Sequence, residues 1–356
     1  MLSSYNHDVI YDDCNALTKK MGSALDVFRD KTILITGANG LIGGFLADFF
    51  THINSKLGLG IQLRLTSLSK LGDAERVKSA VKHDGVRYFS WDLSKAIPHD
   101  MLEPFDYVFF CAGYGQPKKF IQDKMGTMFL NTVGVDSILD FCSQQNKECK
   151  FLYLSSSEIY GSPDAENIPT SEKYNGNYSV ESNRACYISA KRLGEVICLE
   201  RGKSHANLTT RVARLALAYG PGVLNSDDRV MQEFMFKAIR DRSINLLDDG
   251  VAQRNYIYIT NCIEMLLNIT TSGKSSIYNV GGEGDQVTIL ELAKKIALIY
   301  NAEVSCETKK SETIISAPNC VALDLSKYNE EFGRIINAVN LDQGLPKLGM
   351  WLNVNE

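Results

Sequence analysis

The stretch KTILITGANGLIGGFLADFF, residues 31–50, decides the fold class. Thr32–Thr36 is a short apolar run rich in β-branched residues, which predicts a buried strand. Glycines follow at once, and Leu41–Phe50 carries its apolar residues at helical spacing. The order is strand, tight turn, helix. Gly37, Gly40 and Gly43 form G-x-x-G-x-x-G across that junction. One glycine permits the turn, one lets the backbone approach a pyrophosphate, and one lets helix and strand pack closely. Asn39, Leu41 and Ile42 share the loop, and the helix start turns its N–H groups and positive dipole end toward phosphates. Three glycines alone say little; directly after a buried strand they are specific.

Further strands are expected at Gln62–Ser67, Val86–Trp91, Tyr107–Cys111 and Phe151–Ser155, with helical stretches between some of them. Alternating strands and helices predict an α/β fold, a doubly wound parallel sheet covered on both faces. Before the glycine loop, residues 1–30 read as a polar extension with a short helix at Ala16–Phe28. Beyond Tyr219 the texture changes. PGVLNSDDRV is a loop, Val230–Arg240 an amphipathic helix, QRNYIYI a strand, CIEMLLNIT a helix and SIYNVGG a strand. Thr288 with Glu291 three residues later forms a capping box opening a helix to Tyr300.

The acid usually found about 20 residues after such a glycine loop is missing. The second strand ends LTSLSK, so Ser67, Ser69 and Lys70 stand where Asp or Glu would hold ribose hydroxyls. A lysine there would suit a 2′-phosphate, and equally it would be a solvated surface residue.

Tyr187 and Lys191 are spaced i, i+4 in NRACYISAKRLGEVICLE and fall on one helix face. An ammonium beside a phenol favours the tyrosinate, so the spacing predicts a lowered Tyr187 pKa and a base able to take a hydroxyl proton. Upstream, LSSSEIYG (154–161) follows an apolar strand. Its serines, Ser156 and Ser157 among them, therefore sit at a strand's carboxyl end, which in an open α/β sheet faces the ligand crevice. A serine there hydrogen-bonds a reacting oxygen or is an ordinary turn residue.

TGANGLIGG, LSSSEIYG, the Tyr187/Lys191 pair and ARLALAYGPG occur in the order of the extended short-chain dehydrogenase/reductase family. The chain resembles that family's nucleotide-sugar epimerases, dehydratases and decarboxylases over about residues 31–345. The resemblance implies a Rossmann domain that binds NAD, with NADP left open by Lys70, and a smaller α/β domain for a nucleoside-diphosphate sugar. It implies a residue 1–30 extension, a cofactor domain of residues 31–218 plus 251–282, and an interleaved substrate domain of residues 219–250 plus 283–356. Tyr187 is then the base at the sugar 4-hydroxyl. Lys191 lowers its pKa and holds the nicotinamide ribose, and Ser156 bonds the 4-oxygen. Asp92 and Leu93, in FSWDLS, match the family's adenine side, and Ala112 and Gly113 the small residues along the cofactor. Arg229 and Arg254 match arginines that grip the diphosphate, a task suited to a guanidinium fork. The resemblance also implies a homodimer formed through helices at Thr127–Gln144 and Ala185–Arg201.

Glu158 bears on the reaction. Glutamate after the serine resembles the GDP-mannose 4,6-dehydratases and UDP-glucuronate decarboxylases, whereas 4-epimerases have a small residue or threonine. Once C4 is a ketone the C5 proton is acidic enough for a carboxylate to remove. The stretches GYGQPKKFIQDKMGTMFLNTVG and RACYISAKR resemble the decarboxylases. Against them, Leu217 replaces an asparagine, and SAPNCVALD (316–324) lacks the arginine expected there, with Asn319 and Cys320 in its area. A decarboxylase needs a cation for the sugar carboxylate. The sequence therefore ranks 4,6-dehydratase first, decarboxylase second and 4-epimerase third. A non-catalytic cofactor-binding module is the reading from another class.

Composition sets the outer bounds. The chain has 356 residues, 44% of them hydrophobic, a net charge of −4 and a pI near 5.8. No basic face for nucleic acid is implied. Nine scattered cysteines lack C-x-x-C spacing and read as thiols of a reducing cytosol. No two histidines pair at metal-ligand spacing, so no metal site is expected. MLSSYNHDVIYDDCN lacks a signal-peptide pattern, and no apolar run reaches the ~18 residues of a membrane span. A cytoplasmic enzyme without a membrane partner is expected.

Overall fold

The computed structural model describes residues 7–101, 103–284, 286–306 and 318–352. The first six residues of the N-terminal stretch and Ser316–Ala317 of SAPNCVALD lie outside them. The chain opens with α1 (His7–Met21), which passes into a 3₁₀ segment, Gly22–Phe28. The helix expected at Ala16–Phe28 thus starts earlier and tightens where Gly22 takes a positive φ of 52°. Then come β1 (Thr32–Thr36), α2 (Leu41–Leu57), β2 (Gln62–Ser67), β3 (Val86–Ser90) and β4 (Tyr107–Phe110). Next are α3 (Pro117–Gln122), α4 (Lys124–Asn131), α5 (Val133–Ser143), β5 (Cys149–Ser156), α6 (Ala185–Ser204) and β6 (Leu208–Leu215). The C-terminal part holds β7 (Leu217–Tyr219), α7 (Val230–Asp241), β8 (Ser243–Leu246), β9 (Gln253–Tyr258), α8 (Ile259–Ser272) and β10 (Ile277–Val280). It ends with β11 (Gln286–Thr288), α9 (Ile289–Tyr300), β12 (Glu303–Cys306), β13 (Cys320–Val321), α10 (Ser326–Phe332) and α11 (Leu341–Leu352).

Seven strands form one sheet in the order β3-β2-β1-β4-β5-β6-β10, every pair parallel. This is the doubly wound Rossmann order, extended by one strand. Both faces are buried, which explains the unbroken apolar runs. Ile33, Ile35 and Phe109 pack toward Phe45, Phe49 and Phe50 of α2. Leu34, Val108 and Phe110 pack the other way, with Ile138, Leu139 and Cys142 of α5 and Cys198 of α6. Each such side chain contributes about 1.5–3 kcal/mol on burial. β9 pairs instead with β7, β11 and β13 in a smaller sheet, and β8 with β12. The capping box of Thr288 and Glu291 is formed.

The long helix expected at Thr127–Gln144 is not continuous. Thr132, at φ −119° and ψ −73°, separates α4 from α5. Its hydroxyl donates back to the Met128 carbonyl, which competes with the helix ladder. α1 is tied to the far end of the chain, because buried Asp13 accepts hydrogen bonds from Lys347 of α11 and Tyr258 of β9. Among the described residues no helix is long and apolar enough to cross a membrane.

Candidate active site

The strand order reverses between β1 and β4, and a ligand crevice opens beyond their carboxyl ends. Three glycines shape its floor. A Cβ on Gly37 would lie 2.8 Å from the Ala112 backbone, and φ there is +65°. On Gly43 it would lie 2.5 Å from the Gly37 carbonyl oxygen, and on Gly40 3.2 Å from the same atom. The backbone of the loop is therefore bare. Gly40 opens α2 without a side-chain cap, so no side chain of its own satisfies the first N–H groups. The Ala112 N–H donates to Thr36 Oγ1 (3.1 Å) and joins the ends of β4 and β1. These features fit a dinucleotide pyrophosphate.

The neighbouring candidates lie around this loop. Asn39 reaches Ser69 Oγ (3.5 Å) and accepts from the Arg76 N–H (3.1 Å). Ser67 Oγ lies 2.6 Å from the Tyr88 hydroxyl, which in turn donates to the Ser69 carbonyl. Lys70 is exposed, while Leu41 and Ile42 are half-buried at the start of α2. Asp92 accepts from the Ser94 N–H and hydroxyl, which hold its carboxyl below the usual range, and Leu93 is buried. No motif or spacing in the sequence points to Arg76. It is buried, pairs with Asp48 (2.6 Å) and lies over the Trp351 ring, behind the loop.

A second group assembles beside the loop. β5 ends at Ser156, whose hydroxyl accepts from the Glu158 N–H (3.2 Å) and so opens a single 3₁₀ turn. That turn fixes Ser157 and Glu158 at the strand's end, with Ser157 buried. On α6, Tyr187, Lys191 and Glu195 recur every fourth residue and share one buried face. The Lys191 ammonium donates to the Leu154 carbonyl (2.7 Å) and lies 5.9 Å from the Tyr187 ring centre. A Cβ on Gly113 would meet Lys191 Nζ at 3.3 Å, so glycine loop, β4 end and α6 converge. Buried Glu195 accepts from Ser155 and forms two bonds with Arg214 (3.0 and 2.7 Å).

The expected lowering of the Tyr187 pKa is not found. Burial pushes the phenol up, and the nearby Glu158 charge adds to this, against weaker opposing effects from Ser156, Arg184 and Arg229. The spacing places Lys191 on the right face, but its ammonium is engaged by Leu154. Burial lowers Lys191 itself to about 7, opposed by Cys111 and Glu195. Burial also raises the Glu158 carboxyl, opposed first by Arg184 and then by Arg254.

Two residues that the sequence reading missed complete this group. Arg184 donates to Glu158 (3.1 Å), and its guanidinium lies 5.6 Å over the Phe120 ring. Phe120, from α3, stacks on Tyr187 with ring centres 4.6 Å apart. The motif RACY held Arg184 in plain view, but Phe120 is distant in sequence. Of the two expected diphosphate arginines, Arg229 is fully engaged with Asp227 (3.0 and 2.7 Å). Arg254 donates to the Gln253 carbonyl. Both face buried Tyr256, whose phenol burial drives up to about 12. Among the described residues no cluster of three or more His, Cys, Asp or Glu could hold a metal ion.

A sequence model described as the NAD dependent epimerase/dehydratase family matches residues 33–281. UDP-glucuronic acid decarboxylase 1 of Arabidopsis thaliana is 26% identical over 320 residues, covering 89% of this chain and 68% of the relative. The fold is similar to UDP-glucuronic acid 4-epimerase from Bacillus cereus, solved with UDP-glucuronic acid and NAD. That likeness has a TM-score of 0.75 and 20% identity, and spans 90% of this chain and 98% of the other. A dTDP-glucose 4,6-dehydratase from Streptomyces venezuelae, solved with NAD, aligns with a TM-score of 0.76 and 17% identity over 91% and 97% of the two chains.

Proposed function

The chain belongs to the NAD dependent epimerase/dehydratase family, and from that premise we propose that it oxidises C4 of a nucleoside-diphosphate sugar and then breaks a bond at C5. Decarboxylation of a nucleotide-linked uronic acid is the overall reaction. The observation that carries this reading is the half-buried, Arg-paired Glu158 beside Ser156 and Tyr187. The curated relatives carry the decarboxylase name, which supports ranking decarboxylation ahead of dehydration.

Gly37, Gly40 and Gly43 would hold the NAD pyrophosphate, with Asn39, Leu41 and Ile42 along the loop. Ser67, Ser69 and Lys70 would lie at the adenosine ribose, Asp92 and Leu93 near adenine, and Ala112, Gly113 and Lys191 along the nicotinamide half. The chemistry that bound NAD supplies is reversible acceptance of a hydride. Tyr187 takes the proton of the sugar 4-hydroxyl, and Ser156 donates a hydrogen bond to that oxygen. Lys191, when charged, favours the tyrosinate. Once C4 is a ketone, the electron pair of the C5–carboxylate bond flows toward O4 and carbon dioxide leaves. Ser156 and Tyr187 hold the charge that develops on O4. Glu158, which burial biases toward its protonated form, then gives a proton to C5. Arg229 and Arg254 would meet the diphosphate, Arg229 by leaving Asp227. In this reading residues 31–218 plus 251–282 serve the cofactor, save β9, which pairs within the smaller sheet and carries Arg254 to the sugar nucleotide, and residues 219–250 plus 283–356 serve the sugar nucleotide.

Dehydration is the second reading, favoured by Glu158 itself, which as a carboxylate would remove the C5 proton while water leaves from C6. A panel of UDP-, dTDP- and GDP-sugars with NAD, read by product mass, separates the two. Loss of carbon dioxide from a uronic acid supports the proposal. Loss of water from a hexose supports the second reading, and an unchanged mass with inversion at C4 refutes both.

A homodimer is part of the proposal. Met125 and Phe129 of α4, Val133 of α5 and Leu193 and Val196 of α6 are exposed on helices that pack together.

A further inference from the structure

We propose that Arg184 is the specificity-determining residue for an anionic sugar: it binds a carboxylate on C5 of the substrate, exchanging its bond to Glu158 for one to that group. The inference rests on the nucleotide-sugar reading above and deepens it.

The ion pair between Arg184 and Glu158 is half-satisfied. Arg184 gives one N–H to Glu158 Oε1 at 3.1 Å. Its Nε is enclosed and has no hydrogen-bond partner, and neither does Glu158 Oε2. A buried group with an unmet hydrogen bond costs about 1–3 kcal/mol. A ligand carboxylate would relieve this, because guanidinium Nε and Nη present parallel donors to two oxygens.

The surroundings favour an added anion. The charged groups acting on Glu158 are Arg184 and Arg254, two cations against one carboxyl, and Arg254 also repels Arg184. Where the chain lacks the expected arginine, Asn319 and Cys320 supply no cation, and the Cys320 thiol is taken up by Gln253 and Gln286. Arg184 supplies one instead. Its backbone is fixed by Ser182 Oγ (3.2 Å) one residue before α6 begins, and its guanidinium rests on Phe120.

Space is present as well. A cleft of about 110 Å³ opens onto Glu158 and Arg184, with Asn177, Tyr178, Ser179 and Ser182 among its walls, which is room for a carboxylate group, since one water takes about 30 Å³. Tyr187 responds to the charges of both Glu158 and Arg184, so this cleft adjoins the reacting phenol. A neutral hexose would bring only a hydroxymethyl group here and could not replace Glu158 as the partner of Arg184. Departure of Arg184 also removes the largest influence holding the Glu158 carboxyl down, so the carboxyl shifts further toward the form that can supply C5 with a proton.

The test compares Arg184, Arg184→Gln and Arg184→Lys proteins, each carrying Tyr187→Phe to stop turnover and each loaded with NAD, by calorimetric titration with UDP-glucuronic acid and with UDP-glucose. Arg184→Gln should weaken the uronic acid about 10–100-fold, the worth of a charge-assisted fork. UDP-glucose should change by no more than about 3-fold, with Arg184→Lys intermediate, since one point charge replaces the fork. Equal losses for both ligands, or an unchanged uronic acid affinity, would overturn the role of Arg184 while leaving the lyase reading intact. A protein with Arg184 intact that binds neither ligand would overturn both. If Arg184→Gln does not fold, the ratio of the two affinities in Arg184→Lys decides the same question.

Discussion

Replacing Gly43 by alanine tests the glycine loop with one methyl group. The new Cβ would stand 2.5 Å from the Gly37 carbonyl oxygen, 2.8 Å from the Gly37 carbonyl carbon and 3.1 Å from Ala38 Cα. All three obstacles are backbone, so no side chain can swing aside. Either the loop opens or α2 moves off β1. Overpacking of this kind costs about 1–3 kcal/mol. If the fold bears the cost, the 356-residue chain should melt ~1–4 °C lower. If the loop opens, the backbone leaves the pyrophosphate and NAD affinity should fall ~5–150-fold. Calorimetric NAD titration and thermal unfolding read both, and the two losses together should account for the cost. Gly72→Ala is the control, because nothing lies within 4 Å of its Cβ and its φ is not positive. A Gly43→Ala protein that binds NAD and melts like Gly72→Ala would refute the close-packed cradle.

Two further outcomes follow. Lys191 is held near pH 7 in the folded chain against 10.5 ordinarily, so between those values only the unfolded chain keeps its proton. Stability contributed by this site must rise with pH across that window. Urea unfolding should show wild type gaining on Lys191→Met from pH ~7 to ~10, and parallel curves would refute the buried ammonium. Phe129→Glu places a charge on the exposed face shared by α4 and α6. Sedimentation should show a monomer where wild type is a dimer, and an unchanged dimer would move the interface elsewhere.

How much of this was legible in sequence depended on how local each cause was. The glycine loop was readable because one short segment holds the strand, the turn and the helix start, Thr32–Leu57. The face shared by Tyr187 and Lys191 was readable from helical spacing alone. Its electrostatics were not, because depth of burial is a property of the whole sheet. Burial raises Tyr187 and lowers Lys191, and the Leu154 carbonyl claims the ammonium. The break at Thr132 escaped notice because threonine fits the apolar periodicity on either side, and only its bond to Met128 marks the interruption. Arg184 lies within a recognisable motif, but the motif alone assigns it no role. Its partners Glu158 and Phe120 are brought to it by β5 and α3, which no spacing within NRACYISAKR encodes.

Proton NMR of UDP-glucuronic acid incubated with the NAD-loaded protein in deuterium oxide is the most direct measurement. Release of carbon dioxide and a pentose product carrying one deuterium at C5 are predicted, because the proton delivered there comes from the exchangeable Glu158 carboxyl. Tyr187→Phe should give neither. An unaltered sugar, or a product with only protium at C5, would contradict chemistry at C5 that follows oxidation at C4.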